Sequence, residues 1–197
     1  VNSMGLDSDD FVKHMEVLYK HDFLLLFSNL GKVYSLKGYD IPEIQSSAKG
    51  IHIFSLLPGL EDDEQVQSVV AVKNFSNEFS LFFSTAKGKI KKTPLSDYKN
   101  IRRSGIVAIK FDEESDRLVN VLLTDGTNNI VLLTKFGQAI KFSENDIRST
   151  SRDTQGVKGI SLREGDSVIS SDIDETYGEL FIITELGYGK RSPLSLF

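Results

Sequence analysis

Leu24-Leu25-Leu26-Phe27-Ser28-Asn29-Leu30-Gly31 is the stretch that decides the fold, because the chain repeats it three times. It returns as Leu81-Phe82-Phe83-Ser84-Thr85-Ala86-Lys87-Gly88, as Val131-Leu132-Leu133-Thr134-Lys135-Phe136-Gly137, and as Leu180-Phe181-Ile182-Ile183-Thr184-Glu185-Leu186-Gly187. Successive glycines lie 57, 49 and 50 residues apart. A period near 50 marks a repeat architecture, in which each small unit buries its apolar face against the next. Function then becomes a question about surfaces rather than about one catalytic pocket.

Each unit reads as β structure. Phe23–Ser28, Phe79–Ser84, Ile130–Thr134 and Glu179–Thr184 are short, rich in β-branched and aromatic residues, and bounded by turn residues. Their near-continuous apolarity implies burial on both faces. The glycine makes a tight turn, and a partner strand follows: Lys32–Lys37, Lys89–Thr93 and Gln138–Phe142. A polar connector comes next, carrying Pro42, Pro94-Leu95-Ser96-Asp97-Tyr98 or Ser143-Glu144-Asn145-Asp146, with room for one helical turn. Then comes a second glycine feature: Ala48-Lys49-Gly50-Ile51, Arg103-Ser104-Gly105-Ile106 and Val157-Lys158-Gly159-Ile160. Further strands, such as Val66–Lys73 and Leu118–Thr124, precede the next unit. Four short strands per ~50 residues is the content of a propeller-like blade. The expected fold is all-β, one repeat domain over 1–197, with approximate units 15–65, 66–117, 118–170 and 171–197, the last incomplete.

Hydrophobic content of 40% and charged content of 26% place the chain among globular proteins. The absence of cysteine excludes disulfides and thiolate metal sites and fits a reducing, cytoplasmic compartment. No apolar run approaches the ~20 residues of a membrane helix, so no membrane partner is expected. Val1–Asp10 lacks the basic and apolar regions of a signal peptide. The chain starts without Met and stops at Leu194-Ser195-Leu196-Phe197, inside its fourth repeat, and reads as a piece of a longer protein.

The formal charge of −5 argues against nucleic acid, but its distribution argues for it. Residues 86–110 carry a net +7, 111–130 a net −4, 131–160 a net +2 and 161–180 a net −5. The sign alternates in phase with the repeat. Stacked units would set basic segments on one rim and acidic loops elsewhere, and the local field rather than the net sum governs partners.

Enzymatic readings find little support. His14, His21 and His52 fall at non-equivalent positions without metal-ligand spacing, and surface or core filler suits them better. Glu61-Asp62-Asp63-Glu64 and Asp112-Glu113-Glu114 lack the glycine and alternate-ligand spacing of a calcium loop, so they read as solvated loops. Gly156-Val157-Lys158-Gly159 lacks the strand–helix setting of a phosphate loop. No catalytic residue, cofactor or metal is expected. The basic segment 87–103 is the strongest signal. A charge run is usually a solvated face, yet this one holds a single acid, sits at a turn and connector, and has cationic counterparts in other units. Such side chains bind phosphate regardless of base sequence. Two other readings remain open: a propeller-like protein-interaction scaffold, and a calcium-dependent module using the acidic loops. One continuous rim of cations favours DNA; scattered cations favour a scaffold.

These strings together carry a resemblance. Leu26–Gly50, with Gly31-Lys32-Val33-Tyr34-Ser35 and Ile41-Pro42-Glu43, resembles the C-terminal domain of the DNA gyrase A subunit. So do Thr85–Thr93, Ser104–Lys110, Asn145–Gly159 and Gly187-Tyr188-Gly189-Lys190-Arg191, in order over the chain after about residue 10. The last string leans toward gyrase A over the related topoisomerase IV subunit. The resemblance implies a β-pinwheel, here a partial array, whose blades exchange a strand with their neighbours. It implies double-stranded DNA bound and bent on a basic outer rim, serving supercoiling. It also implies two protein partners, the remainder of the gyrase A chain and, through it, gyrase B. ATP hydrolysis and tyrosine-mediated cleavage belong to other parts of such an enzyme, so Tyr19, Tyr34, Tyr39, Tyr98, Tyr177 and Tyr188 become packing or DNA-proximal residues. The candidate DNA-contacting residues are Lys32, Lys49, Lys87, Lys89, Lys91, Lys92, Lys99, Arg102, Arg103, Lys135, Lys141, Arg148, Arg152, Lys158, Lys190 and Arg191.

Two departures qualify the resemblance. The hallmark box Gln-Arg-Arg-Gly-Gly-Lys-Gly is absent, its place being just N-terminal of Val1. Arg152-Asp153-Thr154-Gln155-Gly156-Val157-Lys158-Gly159 is a degenerate echo of it in a later unit. Gln45-Ser46-Ser47-Ala48-Lys49-Gly50 is less basic than its family counterparts, which predicts a weak contact from that blade.

Overall fold

In the computed structural model, which describes residue 6 and residues 9–45, 47–174 and 178–196, the repeats resolve into short antiparallel strands. In chain order they are β1 (Phe23–Ser28), β2 (Lys32–Lys37), β3 (Val66–Val72), β4 (Ser80–Thr85), β5 (Lys89–Pro94), β6 (Ile106–Val107), β7 (Leu118–Thr124), β8 (Asn129–Thr134), β9 (Ala139–Ser143), β10 (Val157–Lys158), β11 (Val168–Asp174), β12 (Glu179–Ile183) and β13 (Gly189–Pro193). A four-residue helix, α1 (Ile53–Leu56), sits between β2 and β3. Single 3-10 turns follow the hairpins at Gly38–Asp40, Leu95–Tyr98, Glu144–Asp146 and Leu194–Leu196.

The repeated Ser/Thr-x-x-Gly is the hairpin turn itself. The hydroxyls of Ser28, Thr85, Thr134 and Thr184 accept from the amides of Lys32, Lys89, Gln138 and Tyr188 at 3.0–3.2 Å. The carbonyls of the same four residues accept from the glycine amides at 2.9–3.1 Å. Those glycines have φ between +78° and +83°, a conformation costly for any residue with a Cβ. A hydroxyl and a glycine three residues apart are therefore the least that closes this turn.

Each hairpin then acquires strands from further along the chain. β3 pairs with β1, β7 with β4 and β11 with β8, all antiparallel, each with a bulge near the turn. Val66–Val72 thus completes the first blade. The unit breaks expected at 65/66, 117/118 and 170/171 fall inside or at the margin of these third strands, which belong with the preceding hairpin. The fourth strand is lent by the next unit: β6 pairs with β2, and β10 with β5. The lent strands lock on through the turn glycines. Gly31 O accepts from Ala108 N (2.8 Å) and Ile109 N (3.1 Å), and Gly88 O accepts from Gly159 N (2.9 Å) and Ile160 N (3.4 Å). The second glycine features at Gly105 and Gly159 adjoin these lent strands, whereas that at Gly50 lies in no described strand. The described residues form two four-stranded sheets, one three-stranded sheet and one two-stranded hairpin, an all-β pinwheel arrangement.

The third strands face one another at the centre. Gln67 Nε2 donates to Val119 O (3.2 Å), and Asn120 Nδ2 donates to Ser171 O (3.0 Å). Apolar cores fill the spaces between blades. Leu25, Phe27 and Val33 pack with Leu81, Phe83, Leu95 and Tyr98. Phe82 and Ile90 pack with Ile130, Leu132, Ile147 and Ile160. β4 contributes Leu81 and Phe83 to one core and Phe82 to the other, which is why its sequence is apolar throughout. β12, paired among the described residues with β13 alone, alternates between half-buried and exposed. No described helix is long and apolar enough to cross a membrane.

Candidate nucleic-acid interface

The lent strands form the outer edge of each complete blade, and the connectors that lead into them carry the cations. In the second unit that connector presents Lys99, Arg102 and Arg103, all exposed. Gly105 N donates to Arg102 O (2.9 Å), turning the chain over the ring of Tyr34. A Cβ on Gly105 would stand 2.6 Å from that ring, and its φ of +75° also calls for glycine. In the third unit, Thr150 N donates to Lys92 O (2.9 Å), and Arg152 Nη1 reaches Val107 O (3.4 Å). These two connectors enclose an open cleft of about 800 Å3, lined by Lys32, Lys99, Arg102 and Arg152 together with uncharged residues such as Asn100 and Ser104. Among the described residues, no carboxylate lines it. Lys32 is held above its usual range chiefly by a hydrogen bond to Glu61.

The remaining candidates divide by environment. Lys49, Lys87, Lys135, Arg148, Lys158, Lys190 and Arg191 are exposed, and Lys89 is half-buried. Arg148 and Arg152 occupy the connector of the third unit, as Lys99, Arg102 and Arg103 occupy that of the second, and Lys158 lies on the lent strand β10, where the second unit has Val107. Lys110, not singled out in the sequence, is also exposed and lies just beyond β6, bridged to Gln155.

Three expected DNA contacts need correction. Lys91 and Lys92 are buried, with 2% and 7% exposure, so their ammonium groups cannot meet phosphate. Lys91 Nζ donates to the carbonyls of Ala108 (2.7 Å), Arg152 and Thr154 (3.4 Å). Lys92 Nζ donates to Glu144 O (2.6 Å) and lies 3.8 Å from the same residue's carboxylate. Lys141 Nζ, half-buried, donates to Leu194 O (2.6 Å) and lies 3.5 Å from Asp174. Composition counted all of them as surface charge because a strand sequence does not reveal which face a neighbouring blade covers.

The acidic loops are also more than solvated segments. Glu64 is buried, its carboxylate accepting from Tyr34 Oη at 2.6 Å and from Glu61 N at 3.2 Å. Lys89 pairs with Asp112 at 2.7 Å, and Lys87 with Glu113 at 3.6 Å. The turn lysines are thereby partly neutralised within their own unit, whereas the cleft cations Lys99, Arg102 and Arg152 stand apart from these pairs. Tyr34 and Tyr98 are core residues, Tyr19, Tyr39 and Tyr188 are exposed, and Tyr177 lies outside the described residues.

The comparisons with known proteins agree with this architecture. The family model described as the DNA gyrase C-terminal domain, beta-propeller, matches residues 22–73, 80–125, 128–173 and 178–197. The first three segments each run from about the start of a first strand to about the end of a third strand, and the fourth spans the β12–β13 hairpin. The DNA gyrase A subunit of Staphylococcus epidermidis (strain ATCC 12228 / FDA PCI 1200) is 41% identical over 99% of this chain. The DNA gyrase A subunit of Staphylococcus aureus (strain NCTC 8325 / PS 47) is 40% identical over the same share. The chain spans 22% of the length of each of these relatives. Among solved structures, the C-terminal domain of DNA topoisomerase IV superposes with a TM-score of 0.82 at 32% identity, covering 90% of this chain and 55% of that one. The DNA gyrase A C-terminal domain gives 0.75 at 30% identity, covering 98% and 63%. On family model, identity and fold together, the chain belongs to the family of DNA gyrase C-terminal domains.

Proposed function

We propose that this chain binds double-stranded DNA on its outer rim without sequence preference and bends it, as a non-catalytic part of a bacterial, cytoplasmic type II topoisomerase that supercoils DNA. The observation that carries this reading is the cleft beside β6 and the connectors that lead into the lent strands, with Lys32, Lys99, Arg102 and Arg152 and, among the described residues, no carboxylate along its lining. Cations so placed contact phosphate oxygens and release condensed counterions, which makes binding tolerant of sequence and sensitive to salt. Bending a short duplex by 40–90° costs of order 1–6 kcal/mol, which several blades acting together can offset through added contacts. Its partners are duplex DNA, the remainder of a gyrase A chain and, through that chain, gyrase B. The domain needs no cofactor for this role, and the chemistry of cleavage and ATP hydrolysis lies elsewhere in the enzyme.

The test is fluorescence anisotropy with unrelated duplexes across a salt series. If Lys99, Arg102 and Arg152 each meet one phosphate, while Lys32 stays paired with Glu61, log K falls with log salt at a slope of about −3, alike for every sequence. A flat slope or a strong sequence preference overturns the reading. Ligation of relaxed circles in the presence of the chain, followed by counting of trapped supercoils, tests the bending.

A further inference from the structure

Lys91 is the one strongly buried lysine of the described chain that leans on carbonyls alone. It lies on β5, and the three carbonyls that receive its ammonium come from two different lent segments. Ala108 follows β6, which is lent to the first blade, while Arg152 and Thr154 precede β10, which is lent to the second. The two segments also touch directly, through Lys110 N donating to Thr154 O at 3.2 Å. The walls of the cleft therefore share one internal tie, and Arg152, whose carbonyl the tie holds, lines the cleft with its guanidinium reaching Val107 O. The equivalent residue of the first blade is Tyr34, which bonds Gly59 O and Glu64 instead and makes no such tie.

We propose that Lys91 is a positioning residue for the DNA-binding cleft. Its three N–H donors set the backbone of Arg152 against that of Ala108, and the cleft is in register for phosphate when all three bonds are made. This rests on the DNA-binding reading above and adds proton regulation to it. A protonated lysine has three donors for the three carbonyls, while a neutral amine has two and must release one of them. Ala108 O and Thr154 O each keep a second donor, Tyr98 Oη and Lys110 N, so the bond to Arg152 O is the one that governs the tie.

The surroundings favour a loss of that proton near neutrality. Burial is the largest influence and pushes the group down to about 7. Asp153, on the loop before β10, and Asp97, on the 3-10 turn after β5, oppose the loss, while Arg152 assists it. The ring of Phe83 on β4 lies 5.4 Å from the ammonium. Tyr98 shares the Ala108 carbonyl at 3.2 Å, and burial raises its hydroxyl above the usual range, so it stays neutral. Phosphate in the cleft favours the charged form of Lys91, so DNA binding takes up a proton there.

The experiment measures affinity for one duplex at fixed salt from pH 6 to 9, for the wild-type chain, Lys91→Met and Lys91→Arg. Wild-type affinity is expected to fall roughly tenfold across this range, the value of about one charge-assisted hydrogen bond. Lys91→Met is expected to bind weakly with no such step, and Lys91→Arg to bind tightly with no such step. His14, His21 and His52 remain in every variant, so the difference between profiles isolates Lys91. Calorimetry of the wild type in two buffers of different ionisation enthalpy is expected to show proton uptake that Lys91→Arg lacks. A wild-type profile without the step, or a step retained by Lys91→Met, overturns the inference while leaving DNA binding intact. Absence of wild-type binding at pH 6 and low salt defeats the DNA-binding reading itself. A purely structural lysine lowers affinity in Lys91→Met equally at every pH with no wild-type step, which also overturns the inference.

Discussion

Lys92 on the second blade donates its ammonium to the carbonyl of Glu144, the first residue of the third blade's 3-10 turn, at 2.6 Å. One period later, Lys141 repeats the contact on Leu194 O, also at 2.6 Å. Lysines that composition assigns to the rim are hooks between blades. Glu144 itself is fully buried, with its carboxylate accepting from Thr124 Oγ1 and from the amides of Gly126 and Asn128. Replacing Lys92 by Met removes the cation facing that carboxylate, and breaking such a buried pair costs about 3 kcal/mol. Chemical denaturation should show this loss. DNA affinity, measured where the variant is still folded, should stay near wild type.

Lys99, Arg102 and Arg103 should behave in the opposite way. Replaced together by Ala, they should leave stability within about 0.5 kcal/mol per site, as exposed substitutions do. DNA affinity should fall and the salt slope should flatten by about one for each phosphate no longer engaged. A gel-shift series checks both. Equal weakening of affinity in this triple variant and in Lys92→Met would mean that cation placement has been misassigned.

The acidic loop restrains Lys87 and Lys89. Asp112→Asn with Glu113→Gln should raise duplex affinity by a few-fold, since exposed ion pairs are worth about 0–1 kcal/mol and the freed lysines become available to phosphate. Unfolding midpoints should barely move. Reduced affinity would show that the loop itself shapes the interface.

Gly31 and Gly137 separate two costs. Both have positive φ, so Ala at either position strains the turn by about 1 kcal/mol. At Gly31 a Cβ would also stand 2.6 Å from Ile109 O, where the lent strand docks, whereas at Gly137 nothing lies within 4 Å. Gly31→Ala should therefore destabilise clearly more than Gly137→Ala in thermal unfolding, and the excess reports strand lending.

Stability should rise with pH where Lys91 titrates. Burial holds its folded value near 7, against about 10.4 in the unfolded chain. Between those values the unfolded chain binds more protons, so this residue's contribution to stability grows as pH increases. Below pH 7 the cost of burying the charge is present in full. Lys91→Met should lose this rise in urea titrations from pH 6 to 10. The direction is opposite to that expected for DNA affinity, so the two effects are separable.

Much of this molecule is legible in one dimension. Ser28 with Gly31, Thr85 with Gly88, Thr134 with Gly137 and Thr184 with Gly187 encode a turn through contacts within five residues, and such local chemistry is written in sequence order. The all-β repeat and the cationic connectors 99–103 and 148–158 follow from that pattern and from composition. The tertiary structure decided which unit owns each strand, because β3, β6 and β10 pair with segments tens of residues away and their two-to-seven-residue patterns name no partner. It also decided which cations face solvent. Lys91, Lys92 and Lys99 are identical as letters, and only the packing of one blade on the next, which takes some side chains out of water and leaves others in it, made the first two internal ties and the third a part of the cleft.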